Sequence, residues 1–485
     1  MKVRSVKFNY LLSTLRIVSS TLLGFLTMPY INKVLGPESL GKVEYVNSIV
    51  TYFILFSALG IPMYGIRQIA KVRNNPLELS KNLLEILFIL IITTALAYIG
   101  LFLLICSSNF LVGYEDLIIL MSSMILLSNL GAEWFFQGIE DQLYITIRYL
   151  IVRAITILLL FTFVKSDADY LIYALVVVLN FCGSNLLNLI RLNKYIKWRE
   201  MKNLDLRRHL KPSITVFLAS VSVSIYLQID NFLLGYMAGD RYVGYYSAAN
   251  KLMRYVVLFI TSIGSVMLPR LSNYWIEDKK AYYKYLQKTF GFIILISLPF
   301  SNYFYLFAEP IIKIMAGSEF LEAILTMQIL SPICLIVGIA YFLGYLVLYP
   351  QNHERIYTVA VATSAGISIV LNYFLINKFQ QNGAAIVQVL SEILGIVIML
   401  YFIRKLNMFQ SIRFKTAICS LIINIGLLIF LRYIFTNYNL IIGDNFMHLF
   451  LGSVLFFSTY FILLIIIREE VTVSLLNLAL KRFRN

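Results

Sequence analysis

Apolar runs of about 20 residues recur along the whole length of this 485-residue chain, for example "EILFILIITTALAYIGLFLLI" and "HLFLGSVLFFSTYFILLIII". An α-helix of 20 residues is about 30 Å long, which matches the hydrocarbon thickness of a lipid bilayer. Charged residues make up only 14% of the sequence, against about 25% in a typical soluble domain. The mean hydropathy is +0.80. The sequence therefore predicts an all-α polytopic membrane protein.

The hydropathy pattern predicts about fourteen transmembrane helices separated by short polar loops. They lie near residues 9–30, 43–63, 83–106, 116–137, 146–164, 169–190, 213–238, 250–269, 289–308, 323–349, 357–377, 382–403, 414–435 and 446–467. If the N-terminus is cytoplasmic, most of the 41 Lys and Arg residues fall in cytoplasmic segments, as the positive-inside rule requires. Both termini are therefore predicted to be cytoplasmic.

The net charge of +16 does not indicate nucleic-acid binding, because the basic residues are spread over short loops between spans. There they orient the chain and contact anionic headgroups of membrane lipids. The four cysteines show no CxxC spacing, and the three histidines lie far apart. The sequence therefore predicts neither a metal site nor a cofactor.

A short glycine pattern occurs twice, at an offset of 203 residues. Gly36 and Gly41 in "VLGPESLGKVEYVNS" correspond to Gly239 and Gly244 in "MAGDRYVGYYSAANK". Six helices per repeat is an even number, so both halves have the same orientation and form a parallel pseudo-repeat, with a substrate site expected between them. The predicted parts are a six-helix bundle at 1–205, a second at 206–408, and two further helices with an amphipathic tail at 409–485.

Glycine and proline positions predict where the chain bends. The four repeated glycines are predicted to be hinge corners on the outer face, because glycine permits tight turns and positive φ. Pro299 and Pro332 lie inside the predicted ninth and tenth spans. Proline there removes a helical hydrogen bond and kinks the helix, so both are also predicted hinges.

Cationic residues fall inside several predicted spans: Arg16, Arg153, Lys251 and Arg254. A charge at mid-bilayer costs about 2.5–3.5 kcal/mol on insertion scales, so such residues usually face a wet cavity or another charge. Arg153, Lys251 and Arg254 lie near span ends, where snorkelling to the interface is the alternative. The excess of cations predicts a cavity that binds an anionic substrate, and arginine suits phosphate because its planar fork donates paired hydrogen bonds.

A second group of polar residues predicts an ion-coupling site. Asp230, Asn372 and Gln388 lie at a similar predicted depth in the seventh, eleventh and twelfth spans, and Glu392 lies nearer the midplane. Oxygen ligands of this kind hold Na⁺ or H⁺. A salt bridge between Asp230 and an arginine is the alternative.

Four segments resemble the polysaccharide transporters of the multidrug/oligosaccharidyl-lipid/polysaccharide exporter superfamily. They are "LTMPYINKVLGPESLGKVEYVNS", "GAEWFFQGIED", "LQIDNFLLGYMAGDRYVGYYSAANKL" and "IIKIMAGSEFLEAILTMQILSPICL". The sequence is most similar to the O-antigen and capsule repeat-unit flippases, over its whole length. The resemblance implies flipping of an undecaprenyl-pyrophosphate-linked oligosaccharide across the bacterial cytoplasmic membrane, alongside other polysaccharide-assembly proteins.

The related lipid II flippases suggest roles for particular residues. Their cavity-lining arginines of helices one and eight are matched by helix in Arg16 and Arg254. Their sodium site, shared by helices seven, eleven and twelve, resembles the placement of Asp230, Asn372 and Glu392.

Two other functions remain open at the level of sequence. A cation-coupled multidrug exporter of the same superfamily would have twelve helices and an acidic cavity. A membrane-integral polysaccharide-assembly enzyme would need a catalytic constellation, and the sequence shows no nucleotide-binding loop or catalytic triad. A transporter, and not an enzyme, is therefore predicted.

Overall fold

The computed structural model describes residues 6–197, 204–408, 415–437, 445–469 and 472–473. In that part of the chain, the regular structure consists of α-helices with short 3₁₀ and π segments and contains no strand. The predicted all-α class is confirmed. The chain divides into two compact units, Met1–Gly244 and Tyr245–Asn485, while the three-part division at 205 and 408 stays a prediction.

The first unit begins with a long helix, α1 (Val6–Ala58), which is broken at Gly36, where φ is 67° and ψ is 176°. The following helices are α2 (Ile61–Val72), α3 (Pro76–Ser107), α4 (Glu115–Leu130), α5 (Glu133–Gly138), α6 (Gln142–Phe163), α7 (Tyr170–Val178), α8 (Ser184–Leu192) and α9 (Arg207–Met237).

Helix α10 (Asp240–Glu277) begins in the first unit and continues into the second. The later helices are α11 (Lys279–Leu306), α12 (Ala308–Met315), α13 (Ala323–Leu330), α14 (Ile333–Tyr341), α15 (Glu354–Lys405), α16 (Lys415–Asn437) and α17 (Asn445–Ile466). Helix α15 is interrupted at Gln380, where φ is 45° and ψ is −125°.

Side-chain caps fix the start of several helices. The Asn75 side chain accepts the backbone N–H of Leu77 at 3.1 Å, and Pro76 occupies the first helical position of α3, where its missing N–H has no consequence. Asp278 caps α11 in the same way, accepting from the backbone N–H of Lys280 at 2.9 Å. Asn75 and Asp278 therefore mark the ends of two loops that are predicted to be cytoplasmic.

Ten helical segments in the described part of the chain are long and apolar enough to cross a membrane. Two of them, Phe8–Val72 and Glu354–Lys405, each contain two of the predicted spans, which meet at the breaks at Gly36 and Gln380. The protein is therefore a multi-pass membrane protein. The count of fourteen spans and the cytoplasmic termini stay predictions, and most of the proposed amphipathic tail lies outside the described residues.

Each unit has a buried apolar core of its own. In the first unit, Trp134, Phe135 and Phe136 of α5 pack with residues of α2 and α3. In the second, Tyr282 and Phe342 belong to a core formed by α10, α11, α15 and the π segment 342–348. The aromatic run of the "GAEWFFQGIED" segment is thus a packing element, and it fixes the position of the charged residues on either side of it.

The repeated glycines divide into two kinds. Gly36 and Gly239 have positive φ, 67° and 103°, a conformation that favours glycine. Gly41 and Gly244 lie inside α1 and α10, and therefore do not form turns. The hinge role assigned to all four glycines stays a prediction.

Gly41 and Gly244 take part in a reciprocal backbone contact within the first unit. A Cβ added to Gly41 would lie 1.8 Å from the carbonyl oxygen of Asp240, and one added to Gly244 would lie 1.9 Å from the carbonyl oxygen of Pro37. At the offset of 203 residues, Pro37 corresponds to Asp240 and Gly41 to Gly244. The two copies of the pattern therefore pack against each other, and the close approach of their backbones requires glycine.

Gly41→Ala should destabilise the protein by about 1–3 kcal/mol, because the new methyl group overlaps the Asp240 carbonyl and the backbones must separate. Gly366→Ala is the matched control, since Gly366 is also helical and a Cβ there has no atom within 4 Å. Thermal unfolding of the purified proteins, monitored by size-exclusion chromatography, should show a lower midpoint temperature for Gly41→Ala alone. Equal midpoints for both variants would contradict the close contact.

A buried polar network joins the start of α9 to α2 and α3. Glu85 Oε2 accepts from His209 Nε2 and from Arg208 Nε, each at 2.8 Å, and Glu85 Oε1 accepts from the backbone N–H of Asp205 at 2.7 Å. The Tyr64 hydroxyl lies 2.6 Å from His209 Nδ1. An ionised carboxylate only accepts, so Nε2 carries the proton and Nδ1 accepts from the tyrosine.

This network predicts a pH-dependent stability. Burial lowers the pKa of His209 below its ordinary value of about 6.5, and the neighbouring Glu85 acts in the opposite direction. Since the unfolded chain binds the proton more readily, the stability supplied by neutral His209 is present above about pH 6.5 and is lost as the pH falls below it.

The His209→Gln variant should therefore be less stable than the parent protein at pH 7.5 but lose less stability between pH 7.5 and 5.5. Thermal unfolding midpoints across that range provide the measurement. Parallel curves for the two proteins would show that His209 does not carry the pH dependence.

Candidate functional site

Two arginines and one glutamate from three helices form an ionic cluster in the first unit. Arg16 Nη1 of α1 lies 3.1 Å from Glu133 Oε1 of α5, and Arg148 Nη2 of α6 lies 3.1 Å from Glu133 Oε2. One carboxylate thus bridges two guanidinium groups, each through a different oxygen. We call this group the Arg16–Glu133–Arg148 cluster.

Local backbone structure fixes the glutamate. Helix α5 starts directly after Ala132, which has φ of 42° and ψ of 47°, a left-handed conformation that turns the chain sharply after α4. Glu133 therefore occupies the first turn of α5, where free backbone N–H groups favour a negative charge. Gln137, one turn later, donates its side-chain amide to Glu133 Oε1 at 3.2 Å.

Arg148 is the buried member of the cluster. Its side chain is 2% exposed, and Nη1 donates to Ser184 Oγ at 2.9 Å and to Asn185 Oδ1 at 3.2 Å. The guanidinium carbon also lies 5.6 Å from the ring centre of Tyr144, within the range of a cation–π contact. Removal of Glu133 would leave this buried cation without its counter-ion, which is strongly destabilising.

The other two members of the cluster are partly exposed. The Arg16 side chain is 20% exposed and the Glu133 side chain 34% exposed. Two guanidinium groups and one carboxylate leave the cluster with a net positive charge. An accessible arginine beside a buried, fixed arginine is an arrangement that can bind a phosphate-bearing group through charge-assisted hydrogen bonds.

The segment 131–141 connects this cluster to other helices. Glu140 pairs with Arg73, just beyond the end of α2, and Asp141 Oδ2 lies 2.6 Å from Arg191 Nη2 in α8. The three carboxylates of "GAEWFFQGIED" are thus all paired with arginines, which come from different parts of the first unit. The segment is therefore joined to several helices of the first unit by ionic pairs.

The structure places the predicted cations in both units. Arg16 joins the cluster, whereas Arg153, also on α6, is half-buried, and its Nε atom is buried with no hydrogen-bond partner among the described residues. Lys251 and Arg254 lie inside α10, three and nearly four turns from its first residue, in the second unit, and both are half-buried. The role of these four residues in binding a substrate stays a prediction.

Three of the four predicted ion-coupling residues are buried, and Glu392 is half-buried. Asp230 lies on α9 of the first unit and is 7% exposed. Asn372 and Gln388 lie on α15 of the second unit and are also buried, and the Tyr246 hydroxyl donates to Gln388 Oε1 at 2.7 Å. Glu392 lies one turn beyond Gln388. Their assembly into an ion site stays a prediction.

The two predicted proline hinges differ in structure. Pro299 lies inside the uninterrupted helix α11. Pro332 lies directly before α14, at the interruption between helices α13 and α14. Only the second coincides with a helix boundary, and the motions assigned to both residues stay predictions.

Sequence reasoning misses Glu133 and Arg148. Both fall inside predicted spans and carry the signal that singles out Arg16, an ionisable residue within an apolar run. They lie 15 residues apart in sequence, across a turn between two helices, so helical periodicity does not pair them. The contact depends on the left-handed turn at Ala132 and on the turn between α5 and α6, where Glu140 has a φ of 59°.

The second unit contains an apolar cavity of about 500 Å³. Its lining comes from α11, α14, the π segment 342–348, α15 and α16, and includes Phe290, Ile339, Leu343 and Leu421. None of the predicted site residues lines it. The apolar lining of this cavity is suited to contact with hydrocarbon chains and not to the binding of sugars or ions.

Comparison with known proteins places these features in a family. The model of the polysaccharide biosynthesis protein family matches residues 6–275, and the MatE family model matches residues 215–374. A relative from Escherichia coli (strain K12), named "Putative O-antigen transporter", is 26% identical over 80% of this chain and 94% of its own length. The capsular polysaccharide biosynthesis protein CapF of Staphylococcus aureus is 24% identical over 82% of this chain and 99% of its own length.

Solved structures share the fold. The lipid II flippase MurJ in an inward closed conformation has a TM-score of 0.67 at 15% identity, covering 95% of this chain and 99% of MurJ. An inward-facing multidrug resistance MATE family transporter has a TM-score of 0.62 at 15% identity, covering 81% of this chain and 96% of its own. The family match extends over more than half of the sequence. The chain belongs to the polysaccharide biosynthesis protein family.

Proposed function

We propose that this protein flips an undecaprenyl-pyrophosphate-linked oligosaccharide repeat unit from the cytoplasmic to the outer leaflet of the bacterial cytoplasmic membrane. The flipped unit serves the assembly of a surface polysaccharide, O-antigen or capsule, together with other polysaccharide-assembly proteins. The mechanism is alternating access, as expected for a transporter built from a parallel repeat. The names of the Escherichia coli and Staphylococcus aureus relatives support this class of cargo.

The observation that carries the proposal is the Arg16–Glu133–Arg148 cluster. A pyrophosphate headgroup needs cations that stay charged and that donate paired hydrogen bonds, and guanidinium groups meet both needs. Ionisable groups in membrane-spanning segments are costly and usually serve function. The partial exposure of Arg16 leaves it accessible to such a headgroup.

The apolar cavity of the second unit supports a lipid-linked cargo. A polyprenyl chain is a hydrocarbon as apolar as the lipid tails around it, so an apolar protein surface can accept it at little cost in free energy. The cavity lining supplies the apolar surface that such a chain would contact. The sugars of the cargo would need a polar site elsewhere.

A cation-coupled multidrug exporter is the second candidate, favoured by the MatE match at residues 215–374. Asp230, Asn372, Gln388 and Glu392 would then bind the coupling ion, Na⁺ or H⁺, as they would in a coupled flippase. The charge of the Arg16–Glu133–Arg148 cluster argues against cationic drugs as cargo, because two arginines face one carboxylate. Dye accumulation in cells with and without the protein distinguishes the two functions.

The flippase function is tested by deleting the gene in its own organism and restoring it on a plasmid. Deletion should remove surface polysaccharide and cause lipid-linked oligosaccharide to accumulate, and the parent gene should reverse both effects. Unchanged surface polysaccharide after deletion would contradict the proposed cargo.

Arg16→Gln should reduce the restored surface polysaccharide at least about tenfold at equal protein level, since one charge-assisted hydrogen bond to phosphate contributes about 1.5–3 kcal/mol. Arg16→Lys should retain part of the activity, because it keeps the charge but loses the paired donors. Lys71→Gln, at an exposed basic residue of α2, is the control and should restore fully. Full activity of Arg16→Gln would remove Arg16 from the binding site.

A further inference from the structure

We infer that Glu133 is an internal counter-ion that holds Arg16 while no substrate is bound and that the anionic headgroup displaces it from Arg16. Glu133 then stays paired with Arg148, and Arg16 transfers to the phosphate. This inference rests on the proposed function, since it requires a phosphate-bearing substrate at Arg16. It assigns Glu133 and Arg148 a positioning role in substrate exchange.

The two arginines contact different oxygens of the Glu133 carboxylate. Arg16 contacts Oε1 of Glu133, whereas Arg148 contacts Oε2. Separation of Arg16 therefore leaves the contact between Glu133 and Arg148 in place. Gln137 also donates to Oε1, so that oxygen keeps a donor after Arg16 has left.

The difference in burial determines which of the two ion pairs of Glu133 separates. Arg148 is 2% exposed and is held by Ser184 and Asn185, so breaking its pair would leave a buried cation unbalanced, which is strongly unfavourable. Arg16 is more exposed, at 20%, so its separation from Glu133 costs less than that of the buried Arg148. The pyrophosphate group of the cargo, with one negative charge on each phosphate, can therefore compete with Glu133 for Arg16, but not for Arg148.

The competition has a consequence for transport. A carboxylate that returns to Arg16 opposes rebinding of the headgroup, and so favours its release. Neutralising Glu133 removes the competitor, and should therefore strengthen substrate binding and slow its release. A residue with a purely structural role would weaken binding or leave it unchanged when altered.

The test measures binding of undecaprenyl pyrophosphate, with undecaprenol as the uncharged reference lipid, to the full-length protein in nanodiscs. Glu133→Gln should bind the pyrophosphate lipid about fivefold more tightly than the parent protein, the upper range for a partly exposed pair. Arg16→Gln should weaken binding. The double variant should bind like Arg16→Gln, because Glu133 acts through Arg16.

Glu140→Gln is the matched control, since Glu140 is another arginine-paired glutamate of the same segment, joined to Arg73. It should leave the affinity unchanged. If Glu133→Gln does not fold, Glu133→Asp replaces it. The shorter carboxylate should stay with the fixed Arg148 and release Arg16, which again tightens binding.

The outcomes separate the two proposals. If the parent protein binds undecaprenyl pyrophosphate no better than undecaprenol, the proposed function fails. If the parent protein prefers the pyrophosphate lipid but the Glu133 variant that folds binds it no more tightly, only the counter-ion role is overturned. Unchanged binding by Arg16→Gln also overturns it.

Discussion

The pairing of buried arginine with carboxylate is the constraint on which the first unit depends. Arg148 is almost completely buried in a protein whose surroundings are largely hydrocarbon, and no water shell can replace its counter-ion. Its carboxylate must therefore come from a fixed position in the fold. Helix α5 supplies that position, because its aromatic residues lock it against α2 and α3.

Three further carboxylates of the first unit pair with arginines, which here are about a third exposed. Glu140 and Asp141 bind arginines beyond α2 and in α8, and Glu85 binds Arg208 and His209 at the start of α9. Carboxylates from α3 and from the 131–141 segment thus connect helices that also contribute to one apolar core. Charge pairing here determines which helix ends lie together, while apolar burial holds the helices themselves.

The sequence predicts the helices well, because the length and composition of an apolar run depend directly on bilayer thickness. The predicted span at 83–106, for example, lies within α3, and the span at 213–238 ends one residue beyond α9. Other features have no local signal. The break at Gln380 has positive φ at a non-glycine residue, and the Glu133–Arg148 contact depends on a turn between helices. Gly41 and Gly244 were identified as a repeated pattern, but only the packed backbones show why glycine is needed there.

The reciprocal glycine contact has an evolutionary consequence. Position 41 meets position 240, and position 244 meets position 37, so the two copies of the pattern are self-complementary, as at the interface of a two-fold symmetric dimer. A chain of half this length with one copy of the pattern would carry both sides of the contact.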